Sequence, residues 1–119
     1  MPTNEEIQEA YGELIAAFDV AISRAIDEMK AREELTTAEV LLLISEVIIG
    51  PNAETRAARL KSATTTRRDA LNEAIIAKKN ADAAVAMCQL EIESYKWQIR
   101  NTSNLLKERE MGKEAKKNG

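Results

Sequence analysis

Residues Asn52 to Met111, NAETRAARLKSATTTRRDALNEAIIAKKNADAAVAMCQLEIESYKWQIRNTSNLLKEREM, run for 60 residues without a glycine or a proline. Gly50-Pro51 stands before this stretch and Gly112 after it. A continuous helix of that length would extend roughly 90 Å, several times the average globular helix. Such a rod cannot bury its apolar stripe against the remaining chain alone. It must fold back, pair with another copy, or hold a partner.

The composition agrees with helix. The 119 residues include few aromatics, Tyr11, Phe18, Tyr95 and Trp97, and are rich in Ala, Glu, Lys, Leu and Arg. That mixture marks long helices and coiled coils and argues against a β-sandwich. The expected fold is all-α, a single helical domain over 1–111 followed by a flexible polar tail over 112–119. Three helices are expected, at about 4–34, 37–49 and 53–111, arranged as a hairpin or bundle in an oligomeric coiled coil.

Each boundary has a local cause. Thr3-Asn4-Glu5-Glu6 reads as a capping box. Ile7, Tyr11, Leu14, Phe18, Ala21 and Ala25 follow at alternating spacings of four and three, with Ile15, Ile22, Ile26 and Met29 beside them. So wide an apolar face suits a helix with two neighbours. Gly12 weakens this helix or admits close approach by another. Thr36 and Glu39 form a second capping box, which predicts a stop and a restart. The segment from Val40 to Ile49 is apolar nearly all round and predicts a short buried helix, with Gly50 in a left-handed conformation and Pro51 blocking continuation. Asn52 caps the third segment. Thr64-Thr65-Thr66 is its weak point, where β-branched residues lower helix propensity, and the rod either bends or breaks there or continues. Leu71, Ala74, Ala81, Val85, Cys88, Ile92, Tyr95, Ile99, Thr102 and Leu106 then mark a seam that Lys78 interrupts. Its alanines let a facing helix come close.

The chain carries a formal net charge of -3, distributed as -8 over residues 1–50, +4 over 51–79 and +1 over 80–119. Glu5, Glu6, Glu9 and Glu13 offer an acidic surface to a partner. Arg56, Arg59, Lys61, Arg67 and Arg68 form a basic cluster that could neutralise phosphates or be solvated or paired within the protein. Trp97, between Lys96 and Arg100, is either an exposed anchor for a protein or a base or a side chain packed under the N-terminal helix. Leu71, Val85, Cys88, Ile92, Tyr95, Trp97, Ile99, Arg100 and Leu106 are the candidates for a protein interface.

The sequence holds no histidine, which removes the commonest general base, the usual triads and most zinc sites. No glycine-rich phosphate loop occurs. Cys88, the single cysteine, lies among Ala and Met and reads as a small buried hydrophobe. The reading is a non-enzymatic protein with no catalytic or metal-binding residue, no cofactor and no small-molecule substrate. The N-terminus lacks a basic region and an apolar run, so no secretory signal is expected. No apolar run is long enough to span a bilayer, so no membrane association is expected. The expected location is the cytoplasm.

From Asn52 to Leu60 (NAETRAARL), through the Ala-rich rod, to Lys96–Leu106 (KWQIRNTSNLL), the chain resembles a group of small bacteriophage helical proteins. The resemblance covers about half the chain. It implies a viral or prophage origin and an accessory role in replication or recombination, with no catalytic residue to carry over. Three functions follow as expectations. The first is an accessory protein binding a protein partner, with or without nucleic acid. The second is an inhibitor of a host defence complex, CRISPR-type or another nuclease, acting by steric or acidic occlusion. The third is a structural coiled-coil module. A homodimer or higher homo-oligomer is expected in each case.

Overall fold

The computed structural model describes residues 1–45 and 48–118, with side chains through Gly112. The protein is all-α: α1 spans Asn4–Ile44, α2 spans Ala53–Ala63 and α3 spans Thr65–Asn118. The chain divides into two compact units, Met1–Phe18 with Ala83–Gly119, and Asp19–Asp82.

In the first unit α1 starts as the sequence predicts. The Glu6 amide donates to Thr3 Oγ1 at 3.1 Å, satisfying an N–H group that a helix start leaves open, and the Ile7 amide donates to the Thr3 carbonyl at 3.0 Å, the first bond of the helical ladder. The packed side of α1 carries Ile7, Ala10, Leu14 and Ala17, and that of α3 carries Val85, Cys88, Ile92, Tyr95, Ile99 and Thr102. This corrects the predicted α1 seam at two positions. Ala10 and Ala17 take the inward places, while Tyr11 and Phe18 are exposed. A helix rotated to bring alanines inward lets its neighbour approach closely, and the aromatic rings are left at the flank. Leu106, predicted to continue the α3 seam, is exposed.

In the second unit α1 passes through Leu35-Thr36-Thr37 without a break. The predicted restart at Thr36 fails because Glu39, its expected capping partner, is engaged by α3. The Glu39 carboxylate accepts from Arg68 of α3 at 2.9 Å. The propensity cost of two threonines is of order 1 kcal/mol. Keeping Leu35, Ala38 and Leu42 on the packed side of one helix outweighs it. The expected buried helix over 37–49 is therefore the end of α1, which stops at Ile44, and Glu46 and Val47 lie outside the described residues. Nor is the segment buried on most sides: Val40, Leu41, Leu43, Ile44 and Ile49 are exposed.

Gly50 does not take the left-handed conformation expected of it. Its requirement is room, since a Cβ there would lie 3.0 Å from Thr55 Cγ2. Asn52 caps α2 as predicted, its Oδ1 accepting from the Thr55 amide at 2.7 Å. The helical run is interrupted at Thr64, the first of the three threonines, with φ -109° and ψ 14°. Backbone bonds from Thr64 to Leu60 and from Arg68 to Thr64 bracket the junction. The Thr64 hydroxyl donates to the Leu60 carbonyl at 2.9 Å, and the Thr65 hydroxyl to those of Ser62 and Lys61 at 3.0 and 3.2 Å. Such back-bonding bends helices. The threonine triplet thus interrupts the run at Thr64, with backbone bonds kept on either side. At the far end α3 runs past Gly112 to Asn118, where the sequence predicts a tail. A Cβ at Gly112 would meet nothing within 4 Å, and the same is true at Gly12, so neither glycine serves a close approach within this chain.

Candidate interaction surface

The basic cluster separates into spent and available cations. Arg56 donates to the Gly50 carbonyl at 3.1 Å and Arg59 to that of Ile49, so both hold the turn that precedes α2. Arg68 is held twice, by the Thr64 hydroxyl and the Glu39 carboxylate, each at 2.9 Å. Thr64 is the most buried of the described side chains, at 1% exposure. Lys61 and Arg67 are exposed and line two different grooves. Lys61 faces Leu35, Arg68, Asp69 and Asn72 around a space of about 260 Å³. Arg67 faces Lys30, Glu33, Glu34 and Leu41 around an open one of about 410 Å³. The second groove mixes both signs of charge, so it does not present a cationic trough.

Most of the apolar interface candidates are used inside the chain. Leu71, Val85 and Ile92 are buried, and Cys88, Tyr95 and Ile99 are half-buried. Trp97, Arg100 and Leu106 are exposed. Of the two readings of Trp97, the structure takes the outward one, with 64% of the residue exposed. Rotation at 3.6 residues per turn places it about 140° round α3 from buried Ile92. Met87 and Leu90 are exposed on that same outer side. Their spacings from Trp97, ten and seven residues, put them in one stripe. That spacing is visible in the sequence, but attention to the inner seam hides Met87 and Leu90 from a reading that starts there.

Glu5, Glu6, Glu9 and Glu13 are all exposed. The charge of two of them is felt by Tyr95. The Tyr95 hydroxyl donates to Glu91 Oε1 at 3.0 Å, beside a small cleft of about 70 Å³ lined by Ile7, Tyr11, Ile92 and Ile99. The bond to Glu91 is the largest cause that raises the phenol above its ordinary value of 10.0. Burial adds to it, then the charge of Glu91 itself and of Glu6 and Glu13. Ionisation would set a phenolate against carboxylates. The folded chain therefore holds this proton longer than the unfolded one. The contribution to stability is complete below about pH 10 and is lost as pH rises through the folded value. In a Tyr11→Phe background, tyrosinate absorbance should titrate at higher pH than free tyrosine, and Glu91→Gln should bring it back toward the ordinary value. Titration at the ordinary value with Glu91 intact would show that the bond does not persist in solution.

Among the described residues no three His, Cys, Asp or Glu side chains converge as metal ligands, and no helix is long and apolar enough to cross a membrane. No protein-family model, curated protein or solved structure matches the chain.

Proposed function

We propose that the protein acts by binding and not by catalysis, as a phage-type accessory protein that holds a protein partner in replication or recombination. The observation that carries this reading is the outer stripe of α3, where Met87, Leu90 and Trp97 are exposed together. Large apolar side chains at helical spacing on a solvent face lose free energy unless covered, and a tryptophan among them has the character of an interface anchor. Lys96, tied to Glu93 at 3.5 Å, and exposed Arg100 give the stripe a charged rim of the kind that surrounds such anchors. The resemblance of residues 52–106 to small phage helical proteins supports the setting, and the protein works in the host cytoplasm as a homo-oligomer. Any contact with nucleic acid falls to Lys61 and Arg67, the two cluster cations whose side chains no described residue holds.

The test is capture of partners from the native host by tagged wild-type chain and by Trp97→Ala. The expected result is one protein enriched by the wild type and weakened about thirtyfold or more by the variant, as for an anchor residue, at unchanged helicity. An identical set of partners with both chains would overturn the reading.

A further inference from the structure

The groove that Lys61 lines holds more than one kind of group. Lys61, Thr65, Asp69 and Asn72 follow at spacings of four, four and three residues, so they lie on one side of the chain across the α2–α3 junction. Half-buried Leu35 of α1 and buried Leu71 add apolar surface to the same space. Arg68 completes the lining, fixed by Thr64 and Glu39 at 2.9 Å each, so this wall needs little further ordering when a ligand arrives. All of these residues belong to the second unit. Among the described residues no hydrogen bond or ion pair engages the side chains of Lys61, Asp69 or Asn72. The space of about 260 Å³ holds about twenty water-sized positions at roughly 10–15 Å³ each, close to the number of heavy atoms in one nucleotide.

We infer that this groove seats one nucleotide, with its phosphate on Lys61, its base against Leu35 and Leu71, and the edge of the base on Asp69 and Asn72. The two charges are separated as the ligand requires. Lys61 and Asp69 are eight residues apart, roughly 12 Å along a helical face, comparable with the distance from a nucleotide's phosphate to the far edge of its base. The ammonium therefore attracts the phosphate at a place where the carboxylate repels it little. Charge also chooses the base. An ionised carboxylate only accepts hydrogen bonds. Guanine, with N1–H and N2–H side by side, offers it two donors. Adenine and cytosine offer one amino group, and uracil or thymine a single N–H between two carbonyl oxygens. Asn72 both donates and accepts, which suits the mixed atoms beside that edge. The groove at Arg67 does not compete, because Glu33 and Glu34 line it and would repel a phosphate. The inference extends the nucleic-acid contact named above for Lys61 and rests on neither the stripe of α3 nor its protein partner.

The test is titration of the whole chain with the 5′-monophosphates of guanosine, adenosine, cytidine and uridine, and with guanosine itself, followed by backbone amide shifts in nuclear magnetic resonance. The expected result is saturable shifts confined to Leu35 and residues 61–72, with a Kd of about 0.1–1 mM for the guanine nucleotide and about tenfold weaker binding of the other three. Lys61→Gln should weaken the guanine nucleotide about tenfold and leave guanosine unchanged. Asp69→Ala should bring guanine to the level of the other bases. Both side chains are exposed, so neither variant disturbs the core, and circular dichroism checks this. Shifts that grow without saturating, or that inorganic phosphate reproduces in full, would overturn the inference and reduce Lys61 to a diffuse charge contact. Equal affinity for all four bases, unchanged in Asp69→Ala, would overturn the place given to Asp69. A five-nucleotide strand with one central guanine separates the two sources of the ligand: tighter binding than the mononucleotide assigns it to a strand, and no binding assigns it to the free nucleotide. None of these results bears on capture by Trp97→Ala, so the two readings fail separately.

Discussion

Replacing Ile92 with alanine should cost about 3 kcal/mol, within the range of about 2–5 kcal/mol for truncating a buried isoleucine. Ile76→Ala should cost under about 0.5 kcal/mol. The two residues are the same in type and lie on the same helix. Ile92 is 5% exposed and Ile76 is 58% exposed. Ile92 sits with Ile7, Tyr11, Tyr95 and Ile99 around the small cleft of the first unit. Truncating it would enlarge an existing gap, and these neighbours are attached to helices that cannot collapse far to fill it. The consequence is large because, among the described residues, so few big side chains are buried: Leu71, Val85 and Ile92, beside the alanines Ala10, Ala38 and Ala81. Against a typical stability of about 5–15 kcal/mol, one such deletion removes a sizeable share. Urea unfolding followed by circular dichroism, at one fixed chain concentration so that association does not enter, measures both variants. Equal losses at the two positions would mean that Ile92 does not belong to the core.

That scarcity of large buried side chains also explains which parts of the fold were legible in the sequence. The α3 seam from Leu71 to Thr102 could be read from its spacing, because the large residues off it, Met87, Leu90 and Trp97, lie on the outer side of the helix. On α1 two stripes compete. Hydrophobicity favours Tyr11 and Phe18 as inward residues, while the structure turns Ala10 and Ala17 inward. The choice depends on how near the alanines of α3 let the other helix come, and a one-dimensional pattern does not carry that distance. The stop expected at Thr36 shows the same limit. A Thr-x-x-Glu pattern predicts a helix start only if the glutamate has no better partner, and Arg68, 29 residues on, is one. The interruption at the threonine triplet was legible as a weakness. Its mechanism, hydroxyls donating to carbonyls of the preceding turn, comes from the rotamers. For the interaction surface, the residue types were legible and their direction was not. Arg56, Arg59 and Arg68 belong to the basic cluster in sequence but serve the fold, and Trp97 had to be placed before it could be read as an anchor.

The Arg68–Glu39 pair gives the second large effect, and it decides how the basic cluster can be tested. Arg68→Glu should destabilise the chain by about 2 kcal/mol, between the values for exposed and buried pairs, since the two side chains are 36% and 30% exposed. Three losses combine. The ion pair disappears, two carboxylates come to face each other, and the Thr64 hydroxyl loses the Arg68 Nε donor at the most buried described position. Glu39→Arg should cost somewhat less, because Thr64 keeps its donor. The exchanged pair, Glu39→Arg with Arg68→Glu, should recover about half the loss, with a coupling energy of about 1–2 kcal/mol. Full recovery is not expected, because a glutamate at 68 cannot donate to Thr64. Arg68→Lys should fall between wild type and Arg68→Glu, keeping the charge and losing the planar donor set that reaches both partners. Urea unfolding of the four chains of the cycle measures the coupling; a value near zero would reduce the pair to an ordinary surface contact. The cycle bears directly on nucleic-acid binding. A loss of affinity on Arg68→Glu would report a disturbed junction between α2 and α3. Lys61→Glu with Arg67→Glu changes the charge of the surface by the same sign while leaving the Thr64–Arg68–Glu39 network in place. A salt-dependent affinity that falls in that variant at unchanged stability is therefore the result that would assign phosphate contact to this end of the protein.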